Sequence, residues 1–245
     1  MKRPYADCIG ASSICSEALR ISSRGCAQPS SEPMSQKTDL LLPIMKGQPV
    51  IPVLLIDKVE HAVPLARALA RGGLPAIEIT LRTAAALDAI RAVADEVPEA
   101  IVGAGTILNA KQYEDAAKAG SRFIVSPGAT KYIVAAANDS DVPLLPAAIT
   151  PSEMLALREE GYTYLKFFPA EQAGGAPFLK ALSSPLAGTF FCPTGGISLA
   201  NARTYLSLPN VLCVGGSWVA PKELVEAGNW NAITDLAKDA AALKG

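Results

Sequence analysis

From Val50 onward the chain alternates short apolar runs with amphipathic ones. The apolar runs span residues 50–56, 76–81, 100–105, 123–126, 143–146, 164–168, 190–193 and 211–215. Runs this short, bounded by Gly, Pro and polar residues, predict buried strands. Between them, residues 59–71, 84–97, 110–119, 131–138, 151–160, 177–182 and 199–206 carry apolar side chains at helical spacing, and 222–243 does so with a break at Gly228. Asn109 and Ser198 stand where N-caps are needed, and Gly72, Gly120 and Gly161 where helices stop. Ser152 beside Pro151 marks another helix start.

A strand followed by a helix, repeated eight times, predicts a parallel sheet in the α/β class, because each helix is a crossover. Eight such units close most simply into a (β/α)8 TIM barrel, which removes the sheet edges. Residues 36–46 predict an extra N-terminal helix capping the barrel bottom. An open doubly wound sheet is the weaker alternative, since no G-x-G-x-x-G follows the first strand. Residues 1–35 are rich in Ser and Cys, lack a sustained period and contain Pro29 and Pro33. They read as a flexible or non-native leader, leaving 36–245 as a single barrel domain.

Composition narrows the function classes. Half of the 245 residues are apolar and 18% are charged, so the chain can bury a sizeable core. A net charge of −1 offers no footprint for nucleic acid or an anionic membrane, and any anion site must be local. Every apolar run is broken by charge, Gly or Pro before it could span a bilayer. The five cysteines form no Cys-x-x-Cys pair and read as reduced thiols, which suits a cytoplasmic location. The one histidine, His61, falls on the first helix, outside the barrel, and is given no catalytic role. With a single histidine, a triad or multi-histidine metal site is hard to build.

In a barrel the active site lies where strands end and βα loops begin. Strand two ends Glu78-Ile79-Thr80-Leu81-Arg82, and alternation puts Glu78, Thr80 and Arg82 on the barrel's inner side. Strand six reads Tyr164-Leu165-Lys166-Phe167-Phe168-Pro169, with Lys166 its one charge. An amine among apolar groups, near a second cation, should fall below its reference pKa of about 10.4. A neutral amine can attack a ketone. A static ion pair with Glu78 is the bland alternative. Strand seven ends Thr194-Gly195-Gly196 before a helix, and strand eight ends Gly215-Gly216-Ser217. Glycine loops after strands seven and eight match the usual phosphate site of such barrels. Gly103-Ala104-Gly105-Thr106 and Ser126-Pro127-Gly128 end strands three and four with small residues that leave room for a ligand. Thr106 and Thr194 are candidate hydroxyl partners for a carboxylate or reacting oxygen.

Taken together, Glu78–Thr83, Val102–Thr106, Lys166–Glu171, Cys192–Ile197 and Gly215–Trp218 resemble the KDPG/KHG aldolase family (2-dehydro-3-deoxy-6-phosphogluconate and 4-hydroxy-2-oxoglutarate aldolases). The likeness covers residues 36–245. It implies a class I aldehyde-lyase without metal or other cofactor, acting on a small phosphorylated 2-oxo acid in the Entner–Doudoroff pathway, and assembled as a homotrimer. It also implies roles. Lys166 forms the Schiff base and Glu78 is the general acid/base. Arg82, Thr106, Thr194, Pro127 and Phe168 hold the pyruvate end, and Gly195, Gly196, Gly216 and Ser217 hold the phosphate. Two rival readings are another phosphate-binding barrel enzyme and a non-catalytic binding protein. Neither needs a lysine adduct.

Overall fold

The computed structural model describes residues 36–243. The leader predicted over 1–35, with Cys8, Cys15 and Cys26, lies outside the described residues. The described chain opens with helix α1 (Thr38–Gly47) and strand β1 (Val50–Leu54), then a 3-10 turn (Val59–His61) running into α2 (Ala62–Arg71). Strand and helix then alternate: β2 (Ala76–Thr80), α3 (Ala86–Glu96), β3 (Ile101–Gly105), α4 (Ala110–Lys118), β4 (Ile124–Ser126), α5 (Lys131–Asn138), β5 (Leu144–Pro146) and α6 (Pro151–Glu159). The series ends with β6 (Tyr164–Phe167), α7 (Gly175–Leu182), β7 (Phe190–Pro193), α8 (Leu199–Leu206), β8 (Val214–Gly216), α9 (Lys222–Glu226) and α10 (Trp230–Ala241).

All strand pairs are parallel. Six strands pair in the order β5-β4-β3-β2-β1-β8, and β6 pairs with β7. Parallel bridges Ala147–Lys166 and Thr194–Gly215 join the two sheets at both seams. The result is an α/β fold of the TIM-barrel type, as the repeated pattern predicts. Alternation decides what lies inside. In β2, Ile77 and Ile79 pack with the helices in the larger apolar cluster. Ala76, on the other face, packs with Ile51, Phe123, Val125, Leu145, Cys192 and Cys213 in a second cluster. Leu41, Ile44 and Met45 of α1 belong to that second cluster. Gln36 fastens the start of α1: its side-chain amide donates to the Leu144 and Tyr164 carbonyls and accepts from the Tyr164 N–H.

The expected boundaries shift where local bonding competes with the period. Helix α3 starts at Ala86 rather than 84, because residues 81–85 turn with Arg82 N–H bonded to the Thr80 carbonyl at 2.8 Å. Strand β8 starts at Val214 rather than 211, because Val211 and Leu212 pair with Phe191 of β7 instead of β1. Gly120 and Gly161 take the positive φ expected of helix ends. Gly72 does not: it ends α2 at φ −79, and Gly73 takes the left-handed conformation at φ +90. Glycine at 72 serves close packing, since a Cβ there would overlap Ala237 of α10. Asn109 caps α4 by accepting from the Gln112 N–H, and Gly228 at φ +62 separates α9 from α10.

Helix α6 starts at Pro151, as Ser152 and Pro151 predict, and is capped by Thr150. The Thr150 hydroxyl accepts from the Glu153 N–H, and the Glu153 carboxylate accepts from the Thr150 and Ile149 N–H groups. Those backbone bonds hold the Glu153 carboxyl below its ordinary range. A depressed carboxylate contributes stability above its unfolded-state pKa and loses it as the pH falls through the folded-state value. Glu153→Ala should therefore cost about 0.3–1 kcal/mol at neutral pH, the lower range reflecting solvent screening of an exposed carboxylate. The gap from wild type should close in acid, as read by denaturant unfolding across pH; a gap independent of pH would contradict this role for the carboxylate.

Candidate active site

Strands β2 and β6 each deliver one charge to the interior, beyond the apolar layer formed with α1. Glu78 and Lys166 occupy inward positions two residues along from Ala76 and Tyr164, both of which pack in the inner cluster. Lys166 is 6% exposed and Glu78 3%, and Lys166 Nζ lies 3.3 Å from Glu78 Oε1. The amine also lies over the Phe168 ring, 5.3 Å from the ring centroid. The pair has room because β3 gives up its side chains there. Gly103 stands opposite Glu78 in the register, and a Cβ at Gly105 would overlap the Glu78 carboxylate.

A cavity of about 280 Å³ opens over this pair. Its lining holds every residue singled out from the sequence: Glu78, Arg82, Thr106, Pro127, Lys166, Phe168, Thr194, Gly195, Gly196, Gly216 and Ser217. The volume suits a small metabolite. Arg82 sits in the turn after β2 and is exposed, so it guards the mouth rather than the floor. Its Nε donates to the Thr80 hydroxyl at 3.0 Å, and that hydroxyl donates to the Leu54 carbonyl at 2.8 Å. Thr106 has φ +60, an uncommon conformation for a β-branched residue and one that clusters at functional sites.

The loop after β7 is tied down by its carbonyls. Thr194 O accepts from the Ala170 N–H at 2.8 Å, Gly195 O from the Glu171 N–H at 3.2 Å, and Gly196 O from the Asn201 side chain at 3.0 Å. In a trans peptide the N–H points opposite to the C=O. Tying these carbonyls to protein therefore turns the N–H groups of Gly195, Gly196 and Ile197 the other way, and all three residues line the cavity. Positive φ at Gly195 and Gly196, 100° and 77°, makes this course possible. The N-terminus of α8 follows at once, and such a loop suits an anion.

Thr80, Val53, Gly215 and Ile197 also line the cavity, and the sequence reading assigned them no role. Thr80 was visible in the alternation that links it to Glu78 and Arg82. Val53 carried no signal, because an apolar residue near a strand end is indistinguishable from core, and Ile197 entered only as a member of the motif Cys192–Ile197. His61 lies in the 3-10 turn with its ring 6.0 Å from that of Trp230, in an adjoining cavity and not among the residues around Lys166. A larger cavity of about 490 Å³, between α5 and α6, shares only Pro127 with the first.

Chemically, the cavity offers a buried amine with a carboxylate in hydrogen-bond reach, a guanidinium at the rim, hydroxyls directly after two further strands and an amide-lined corner. A carbonyl carbon can be bonded by the amine while the carboxylate moves protons. The family model for KDPG and KHG aldolase matches residues 42–236. The 2-dehydro-3-deoxy-phosphogluconate aldolase of Pseudoalteromonas atlantica is 54% identical over 194 residues, covering 79% of this chain and 90% of that protein. The KHG/KDPG aldolase of Escherichia coli K12 is 50% identical over 197 residues, covering 80% and 92%. The KDPG aldolase of Legionella pneumophila, solved with pyruvate captured at low pH as a covalent carbinolamine intermediate, matches with a TM-score of 0.80 at 41% identity, covering 86% of this chain and 98% of that one.

The contact between the two charges depends on Gly105. Gly105→Ala should push the Glu78 carboxylate away from Lys166 and lower stability by about 1–3 kcal/mol. A crystal structure of the variant that keeps the wild-type separation, with unchanged melting, would contradict this packing argument.

Proposed function

The chain belongs to the KDPG and KHG aldolase family, and from that premise we propose that it is a class I aldolase in which Lys166 forms a Schiff base with 2-dehydro-3-deoxy-6-phosphogluconate and releases pyruvate and glyceraldehyde 3-phosphate. The observation that carries the reading is the buried amine 3.3 Å from a buried carboxylate, at the floor of the one cavity that gathers the motif residues. Cleavage of 4-hydroxy-2-oxoglutarate to pyruvate and glyoxylate belongs to the same reading, because the chemistry at Lys166 does not involve the far end of the substrate.

The free-base amine of Lys166 adds to the C2 ketone, and the carbinolamine loses water to give an iminium. Glu78 hands over the protons for that loss. It then takes the C4 hydroxyl proton, directly or through water, and the C3–C4 electron pair flows into the iminium. The aldehyde phosphate leaves and an enamine remains. The enamine is protonated at C3, and hydrolysis frees pyruvate and regenerates the amine. Arg82, held by Thr80, pairs with the substrate carboxylate. Thr106 and Thr194 offer hydroxyls to the carboxylate or reacting oxygen, and Pro127 and Phe168 form the apolar walls around the pyruvate end. The phosphate lies against the N–H groups of Gly195 and Gly196 and beside Gly216 and Ser217. Binding it far from the reacting carbons fixes the substrate's orientation.

Helix α1 is read as the cap of the barrel bottom, because its Leu41, Ile44 and Met45 share the inner cluster. The homotrimer, the Entner–Doudoroff step and the cytoplasmic location rest on family likeness. Among the described residues no helix is long and apolar enough to cross a membrane. The division into a leader, 1–35, and one barrel, 36–245, is part of the same reading.

Borohydride added with pyruvate should leave a reduced pyruvyl adduct on Lys166, located by peptide mass spectrometry. An adduct on another lysine, or none in an enzyme that still cleaves substrate, would overturn the assignment. Lys166→Ala should abolish both adduct and turnover. Glu78→Gln should lower kcat by about 10²–10⁴-fold while the adduct can still be trapped. Equal loss of trapping and turnover in Glu78→Gln would deny the carboxylate its proton-transfer role in cleavage.

A further inference from the structure

The glycine loop after β7 rests on the loop after β6, and one side-chain pair fastens the two. Tyr205 projects from α8, is 1% exposed, and donates its hydroxyl to the Glu171 carboxylate in the β6–α7 loop. Burial, and then the carboxylate beside it, pushes the Tyr205 phenol up, so it stays protonated and remains a donor. The Cβ and Cγ of Glu171 in turn fill the space that a side chain at Gly196 would need. The Glu171 N–H also holds the Gly195 carbonyl at 3.2 Å. Helix α8 begins directly after the glycine loop, so Tyr205 ties the far end of that helix back to the loop's floor.

Neither residue lines the cavity over Lys166. We propose that Glu171 and Tyr205 are positioning residues, which hold the Gly195–Gly196 amides in place for the phosphate end of the substrate. The inference rests on the phosphate subsite of the proposed function. It goes further in assigning the subsite's geometry to a side-chain pair beneath it. The pair acts on the distant end of the substrate and not on the bond made at Lys166. Its loss therefore shows as weaker use of phosphorylated substrate, with the pyruvate chemistry retained.

The test compares Tyr205→Phe, Glu171→Ala and Glu171→Gln in the full-length protein. Measured are kcat and KM for 2-dehydro-3-deoxy-6-phosphogluconate and for unphosphorylated 4-hydroxy-2-oxoglutarate, and deuterium exchange into the pyruvate methyl group. Tyr205→Phe and Glu171→Ala should raise KM for the phosphorylated substrate about tenfold, the scale of one lost charge-assisted hydrogen bond. KM for the unphosphorylated substrate and the exchange rate should stay within about twofold. Glu171→Gln keeps an acceptor for the phenol and should restore most of the affinity. A rise shared equally by both substrates, a parallel fall in exchange, or no rise at all would overturn the proposal. Should Tyr205→Phe fail to fold, the Glu171 variants, at an exposed position, carry the same comparison. If the wild-type protein forms no pyruvate adduct at Lys166, it is the function reading that fails; if the adduct forms and the KM shifts are shared, only the positioning pair does.

Discussion

A lysine and a glutamate facing each other across the inside of the barrel, both almost fully buried, are the constraint around which the upper half of the molecule is arranged. Two charges taken out of water cost several kcal/mol each unless geometry and hydrogen bonds offset the loss. At a purely structural position, apolar side chains of similar volume would serve as well or better. The surroundings also make room for the pair at a cost in packing. The space a side chain at Gly103 would take is filled by the Phe123 ring, and that at Gly105 by the Glu78 carboxylate itself. Thr106, which follows, adopts a conformation that β-branched residues avoid. The glycines thus seat the carboxylate, and the strained Thr106 lines the cavity that opens over it.

The interior is thus divided along its length. Toward the strand beginnings it is filled by Ile51, Phe123, Val125, Leu145 and the apolar face of α1. Toward the strand ends the inward positions turn polar, with Glu78, Thr80 and Lys166 each supplied by a rigid strand and Thr194 by the residue directly after β7. Strands hold side chains more firmly than loops do, which suits groups that must transfer protons over one hydrogen-bond length. The loops contribute where looser placement suffices: Arg82 at the rim, and the amide corner at Gly195–Gly196. Even there the placement is fixed from below, by Thr80 under Arg82 and by bonded carbonyls under the glycines.

Much of this was legible in the sequence because the period-two alternation in β2 and β6 says which side chains face inward. Lys166 and Glu78 are each isolated charges on an inward register of an apolar strand, and the structure brings them together across the barrel. Other features were not legible for physical reasons. The role of Gly72 depends on how closely α10 approaches α2, and contacts that far apart in the chain leave no local pattern. The start of β8 falls later than expected because Val211 and Leu212 are as apolar as a strand but bond to Leu208 and to β7, not to β1. Ser152 and Pro151 mark the start of α6 correctly, but the cap itself, Thr150, has its signal in Glu153 three residues on, which completes a capping box. Tyr205 reads as one more buried aromatic on a helix, and only the fold puts its hydroxyl on Glu171.

The central claim is that the amine of Lys166 bonds a keto carbon inside the cavity with Glu78 beside it. A crystal structure of the protein soaked with pyruvate examines that directly. The account predicts continuous density from Lys166 Nζ to C2 of the ligand, the Glu78 carboxylate within hydrogen-bond reach of the adduct, and the ligand carboxylate turned toward Arg82. Pyruvate bound without a covalent link at saturating concentration, or bonded elsewhere with Lys166 still paired to Glu78, would contradict it.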